Sequence, residues 1–182
     1  MTAAAIGRMC TFLAGFLLLC AASHAEEVLL AGERLSPQHF ALRDVSARPA
    51  LRSVLDELEY NDARTVSIYR RDLDDDGQTD DLIRAAPGLC GNGGCPYVLV
   101  DGRTQQVIGR FFAGTLIISH TPVGGFPVVY GISHVSADTS EWSCSVFDGR
   151  AYLRVVNLPL TGAVWNRFRS AVEDLPLAAQ GE

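Results

Sequence analysis

A ten-residue acidic stretch at positions 72–81 limits what this chain can fold into, because six of its ten residues are carboxylates. Three of them alternate at Asp72, Asp74 and Asp76, and Gly77 follows directly. Alternate residues of a tightly wound loop can direct their oxygens at one point, and the glycine allows a sharp turn where a Cβ would clash. The pattern predicts a loop of the D-x-D-x-D-G type, which is typical of calcium binding.

Calcium takes about six to eight oxygen ligands, and the stretch supplies several, with water as the remainder. Position twelve of an EF-hand would be a bidentate Glu, but here it is Ile83. The alternative interpretation is a solvated acidic turn, although close carboxylates without a cation repel one another and raise each other's pKa. We predict calcium as the cofactor, with five protein ligands of which the last uses its backbone carbonyl: Asp72, Asp74, Asp76, Asp80 and Gln78.

The segments on both sides of the acidic stretch favour strands. Residues 64–69 are rich in β-branched and aromatic side chains, with Val66 and Ile68 on one face, and residues 82–85 follow the stretch,. This order of strand, aspartate loop and strand resembles the calcium loops of FG-GAP and VCBS-type secreted β proteins. The resemblance is confined to this hairpin, and it implies a binding loop rather than an activity.

A second distinctive stretch, at residues 90–96, reads Cys-Gly-Asn-Gly-Gly-Cys-Pro. Its three glycines let the chain fold back, so we predict a disulfide between Cys90 and Cys95. A phosphate-cradling loop is the functional alternative, but neither G-x-x-x-x-G-K-[ST] nor G-x-G-x-x-G is present,. Cys144 alternates with Trp142 and Val146, which predicts a buried thiol, while a bridge from Cys144 to either other cysteine stays open.

The acidic hairpin, the cysteine loop and a later Phe-Asp-Gly hairpin at residues 147–149 occur in this order along the chain. The combination resembles a loose group of small exported bacterial proteins. That resemblance implies a compartment and a fold, not a reaction.

The N-terminus has the pattern of a secretory signal peptide. Arg8 precedes an apolar segment at residues 9–22, and small residues stand at Ser23 and Ala25,. We therefore expect a signal peptide at 1–25 and a mature single α+β domain at 26–182. The alternative is a lipoprotein whose Cys20 is acylated. No later stretch has the length and apolar character of a transmembrane span, so we expect a periplasmic or secreted protein.

The charge of the chain bears on its partners. The formal net charge is −6, and all fifteen basic residues are arginine. An acidic domain with no basic patch argues against nucleic acid as a partner. We expect the partner to be an envelope or extracellular protein.

The predicted fold class is α+β, with N-terminal helices packed on an antiparallel β meander. Ser36 and Pro37 indicate a helix start, residues 50–60 form an amphipathic helix, and residues 163–172 form a short one,. An edge strand is expected at 28–30. Tight hairpins are predicted at Asp101-Gly102 and Asp148-Gly149 and a looser turn at Gly124-Gly125. The predicted meander strands are 64–71, 81–86, 96–101, 106–111, 114–119, 127–136, 142–147 and 151–156.

The expected function is binding or structural, with no catalysis. The enzyme alternative is an envelope hydrolase that uses a metal at the aspartate loop or a cysteine–histidine pair of Cys144 and His134. His120 and His134 each follow a serine near a strand end, and we expect both to be structural residues,.

Overall fold

The computed structural model describes residues 32–61 and 63–178. The predicted signal peptide and the edge strand at 28–30 lie outside the described residues. The described part contains three helices, α1 (Leu42–Ser46), α2 (Pro49–Glu57) and α3 (Gly162–Glu173). It contains ten strands: β1 (Gly32–Arg34), β2 (Gln38–Ala41), β3 (Thr65–Arg71), β4 (Asp80–Arg84), β5 (Cys95–Val100), β6 (Val107–Ala113), β7 (Thr115–Val123), β8 (Phe126–Ser136), β9 (Thr139–Phe147) and β10 (Tyr152–Thr161).

The strands form two five-stranded antiparallel sheets. The first sheet has the order β1-β7-β8-β9-β10, and the second has the order β2-β3-β4-β5-β6. The chain passes from the first sheet to the second after β1 and returns between β6 and β7 through a single residue, Gly114. The Gly114 amide donates to the Ile132 carbonyl at 2.7 Å, which ties this corner to β8.

The predicted α+β fold, with N-terminal helices on one meander, is wrong. The described chain is mostly β, its strands divide into two antiparallel sheets, and its three helices are short. Each predicted meander strand overlaps an observed one, but the alternating pattern carries no sign that the chain changes sheets at Gly114. Ser36 and Pro37 precede a strand instead of a helix, because Gln38 and Phe40 pair with Ile68 and Val66 of β3.

Three groups of buried side chains hold the layers together. The inner faces of the two sheets enclose an apolar core that includes Tyr69, Leu99, Leu116 and Phe126. Burial of such side chains contributes about 1.5–3 kcal/mol each. The helices α1 and α2 cover the outer face of the second sheet, and α3 covers the outer face of the first. None of the described helices is long and apolar enough to cross a membrane.

Candidate metal centre

The acidic stretch forms the connection between β3 and β4, where Arg71 pairs with Asp80 across the hairpin. Gly77 has a φ of +85°, a left-handed conformation that glycine adopts without a Cβ clash,. The two carboxylate oxygens of Asp72 accept the backbone N–H groups of Asp76 at 3.1 Å and Gly77 at 2.8 Å. The first carboxylate of the motif is therefore held in place by the turn that it encloses.

Asp80 opens β4 and is only 3% exposed. Its Oδ2 accepts the Leu73 amide at 2.9 Å, and its Oδ1 accepts the Gly102 amide at 2.8 Å. Gly102 belongs to the turn between β5 and β6, and a Cβ built on it would lie 2.2 Å from the Thr79 carbonyl oxygen. Asp80 thus links the acidic loop to a second turn that approaches as closely as a glycine permits.

Three of the predicted ligands converge. Asp72, Asp74 and Asp80 each direct one carboxylate oxygen into a group whose atoms lie within 4.8 Å of one another. The Oδ1 of Asp74 is buried and accepts no hydrogen bond from any described residue. A buried carboxylate oxygen without a donor is costly, and a hard cation is a suitable partner for it. This acidic triad can hold a metal ion.

The electrostatics of the triad favour a positive partner. Burial raises the pKa of Asp80 to about 6, and the two backbone donors offset only part of that effect. Burial also raises the pKa of Asp74, and the nearby carboxylates of Asp76, Asp101 and Asp72 add to the increase. Charge repulsion and desolvation therefore act together against the ionised forms of Asp74 and Asp80, and a bound cation would relieve both,.

The other two predicted ligands are placed differently. Asp76 accepts the Gln78 amide on Oδ1 at 2.8 Å, and its Oδ2 lies 3.1 Å from Nε of Arg103. Asp76 is absent from the converging group, and Gln78 is an exposed residue of the same loop. The roles of Asp76 and Gln78 as ligands stay predictions.

The ion pair between Asp76 and Arg103 could not be predicted from the local sequence pattern, because Arg103 lies 27 positions further along the chain.

A cleft of about 430 Å³ adjoins the acidic loop. It lies between Asp72, Asp74 and Asp75 on one side and β7 with the start of β8 on the other. Within it, Glu33 forms an ion pair with Arg71 at 3.0 Å and lies 3.5 Å from Nε2 of His120. Glu33 lies far from the acidic loop in the sequence, and no local sequence pattern indicated that it would face this cleft.

Asp81, the last carboxylate of the stretch, has a separate role. It is fully buried, its Oδ1 lies 2.6 Å from Nε of Arg70, and its Oδ2 pairs with Nη1 of Arg48. Arg48 occupies the N-cap position of α2, and its Nη2 lies 3.2 Å from Oε1 of Gln105. Asp81 therefore fastens α2 to the second sheet.

The predicted disulfide between Cys90 and Cys95 is confirmed, with the two Cα atoms 4.3 Å apart. The glycines close the loop as expected, since Gly91 and Gly94 exchange two backbone hydrogen bonds of 2.9 and 3.1 Å. Cys144 is buried with Trp142 and Val146 in the core between the first sheet and α3, as their alternation predicted.

The structure does not assemble the alternative cysteine–histidine pair. Cys144 lies opposite Tyr130 in the register of β8 and β9, whereas His134 lies opposite Ser140. Four residues of strand separate the two positions, which corresponds to about 13 Å. Cys144 is also buried while His134 is exposed, so the two side chains do not share a site.

No protein-family model, no curated protein and no solved structure matches this chain. The resemblance to FG-GAP and VCBS-type loops and to small exported bacterial proteins rests on the motifs alone and stays a prediction. What the protein does is therefore inferred from the acidic loop and its surroundings.

Proposed function

We propose that this is a small exported protein whose acidic loop binds calcium, with a binding or structural role and no catalysis of its own. The observation that carries the proposal is the convergence of Asp72, Asp74 and Asp80, together with the buried and unpartnered Oδ1 of Asp74. Carboxylate oxygens are hard ligands, and an irregular loop suits the flexible coordination of Ca²⁺ better than the strict octahedron of Mg²⁺. The partner would be an envelope or extracellular protein.

The role of the cation follows from what the triad connects. Asp72 belongs to the turn of the β3–β4 hairpin, and Asp80 is hydrogen-bonded to the turn between β5 and β6 through Gly102. A cation shared by the two carboxylates would hold both turns in one arrangement at the edge of the cleft. Because a bidentate Glu is missing at position twelve, we expect a Kd of about 10⁻⁴–10⁻³ M, the range of extracellular calcium modules.

The test is thermal unfolding of the chelator-treated protein as Ca²⁺ is added. At ten times Kd, binding to the folded state alone adds about 1.4 kcal/mol to the free energy of unfolding, which is a measurable rise in Tm. Asp74→Asn should abolish the rise, because it removes the charge of the carboxylate whose Oδ1 lacks a donor. The matched control is Asp75→Asn, which removes the same charge from an exposed side chain of the same loop.

Asp75 has a φ of +58°, a conformation that Asn tolerates as well as Asp, so the control substitution adds little strain,. A parallel titration with Mg²⁺ compares the rise in Tm that each of the two ions produces. If millimolar Ca²⁺ leaves the Tm of the unsubstituted protein unchanged, the loop is a charged turn and the proposal is wrong.

A second candidate function is a metal-dependent hydrolase of the cell envelope. The observation that favours it is the cleft, which places His120 and Arg71 beside Asp72 and Asp74. A catalytic metal keeps an open coordination position for water, and a histidine that lines the same cleft can act in proton transfer,. Turnover of ester or phosphoester substrates that is lost in both Asp74→Asn and His120→Ala would support this function. Calcium binding without any turnover would leave the binding role.

A further inference from the structure

We propose that the Cys90–Cys95 disulfide is a site of thiol–disulfide exchange, in which an external thiol attacks Cys90 and Arg84 stabilises the Cys95 thiolate that leaves. The proposal is independent of calcium binding. It rests on the contact between Arg84 and the Cys95 sulfur, on the difference in exposure between the two cysteines, and on the hydrogen bonds of the loop that joins them.

The guanidinium of Arg84 is directed at one sulfur of the disulfide. Its Nε and Nη2 lie 3.1 and 3.0 Å from Sγ of Cys95. Arg84 is partly buried at the end of β4, and it forms no ion pair with a carboxylate of the described residues. A disulfide sulfur is a weak acceptor, whereas a thiolate carries a full charge. The contact therefore strengthens when the disulfide is reduced.

The two sulfurs differ in access. Cys95 is 3% exposed, and Cys90 is partly exposed at the end of the 3₁₀ turn Pro87–Leu89. Cys90 is therefore the more accessible of the two to an external thiolate, and Cys95 becomes the leaving group. The rate of exchange rises as the pKa of the leaving thiol falls, and a neighbouring arginine lowers the pKa of a cysteine thiol. Access and charge thus assign complementary roles to the two cysteines.

External thiols are the only reductant that the exchange reaction requires, and it proceeds in two steps. In the first step, an external thiolate forms a bond to Sγ of Cys90, the bond between Cys90 and Cys95 breaks, and its electron pair remains on Cys95 as a thiolate. In the second step, another external thiolate attacks the mixed disulfide, forms an external disulfide and releases Cys90 as a thiolate. Two external thiols are oxidised and one protein disulfide is reduced.

The reduced loop retains backbone contacts that keep the cysteines together. Gly91 and Gly94 form two hydrogen bonds with each other, and Gly93 accepts the His134 amide at 3.1 Å. These bonds do not involve sulfur, so they remain when the disulfide opens. The two thiols stay close enough for the reverse reaction, and the site can cycle between its two states.

The experiment measures the rate at which reduced glutathione opens the disulfide in the folded full chain at pH 7. Samples are quenched with acid, alkylated and mapped by mass spectrometry, which follows each cysteine separately. Arg84→Gln should slow the opening about tenfold, since the leaving thiolate loses its positive partner. Arg84→Lys keeps the charge and should restore most of the rate. The matched control is Arg154→Gln, which removes an exposed arginine of β10 and should leave the rate unchanged.

A second measurement keeps the proposal falsifiable if Arg84→Gln fails to fold. The ultraviolet absorbance of the thiolates is titrated with pH in the reduced protein carrying Cys10→Ala, Cys20→Ala and Cys144→Ala, so that the signal comes from Cys90 and Cys95. One of the two thiols should ionise below the ordinary cysteine pKa of about 8.5. Ordinary or raised ionisation of both thiols would overturn the proposal, as would an unchanged opening rate in a folded Arg84→Gln variant.

Discussion

Asp80 is the residue at which burial and charge conflict most directly. The side chain is almost completely buried, yet it lies beside Asp74 and accepts two backbone amides. The amides favour the ionised form, and burial disfavours it more strongly. The native state without metal therefore retains the proton on this carboxyl to a higher pH than the unfolded chain does.

This difference predicts how stability depends on pH. The pKa of Asp80 is about 6 in the folded protein against an ordinary 3.8, so the folded state binds more protons between these values. Metal-free stability should therefore fall as the pH rises from about 4 to 6, by on the order of 2 kcal/mol from this group. Calcium should reduce the fall, because it stabilises the ionised carboxylate.

The measurement is the Tm across pH 4–7 with chelator and with calcium, for the unsubstituted protein and for Asp80→Asn. The difference in Tm between the two proteins at each pH gives the contribution of the Asp80 carboxyl separately from the other carboxyls. A metal-free difference that does not change with pH would contradict the assignment.

Gly102 is the second residue on which the site depends. Any Cβ there would lie 2.2 Å from the Thr79 carbonyl oxygen, so Gly102→Ala must displace the β5–β6 turn from the acidic loop. The displacement removes the hydrogen bond to Asp80, and we expect a loss of about 2 kcal/mol in stability and a smaller calcium-induced rise in Tm. Gly91→Ala is the control, because nothing lies within 4 Å of its added Cβ. Equal Tm values for the two variants would show that the close approach is unimportant.

At the scale of the elements, one buried ion cluster joins a helix to a sheet. Asp81 on β4 contacts Arg70 on β3 and Arg48 at the start of α2. Removing one member of a buried ion pair leaves uncompensated charge. We therefore expect Asp81→Asn to cost about 3 kcal/mol, measured by denaturant unfolding.

The matched comparison for this substitution is Asp75→Asn, which removes the same charge from an exposed loop position and should change stability by less than about 0.5 kcal/mol. Similar losses in the two variants would mean that Asp81 contributes no more than a surface charge.

Two of the turns between strands differ in length from what their sequences predicted. Gly124 and Gly125, predicted to make a looser turn, form a two-residue connection between Val123 and Phe126, with φ of +71° and +101°. The Asp101-Gly102 pair was predicted to make a tight hairpin, but β5 and β6 are joined by six residues. The Gly102 amide instead donates to Asp80, so this longer turn contacts the acidic loop.

At the scale of the whole molecule, export is the prediction that most affects the proposed function, because modest calcium affinity is useful where calcium is plentiful. The intact mass of the protein recovered from a bacterial periplasm or culture medium should correspond to a chain that starts at Glu26. The Cys90–Cys95 bridge should be present, since exported proteins meet an oxidising environment. A lipid adduct on Cys20 would instead support the lipoprotein alternative.

Local features of this protein can be predicted from its amino-acid sequence. Alternation of apolar residues located the meander strands, because the two-residue period of a strand is visible within a few positions. The acidic loop and the Cys90–Cys95 bridge were also predictable, since their parts lie within ten residues of each other along the chain. In each case the interacting groups are brought together by the backbone of one short segment.

Contacts between distant segments, in contrast, could not be predicted from local sequence patterns. The division into two sheets, the pairing of β2 with β3, and the approach of Gly102 to Asp80 join residues that are far apart in the sequence. The buried contact of Arg48 with Asp81 has the same character. A local pattern shows which face of a strand is apolar but not which surface will cover it. Which surface covers each face depends on the packing of all layers at once. The same packing brings Gly102 to Asp80 and so completes the candidate metal centre.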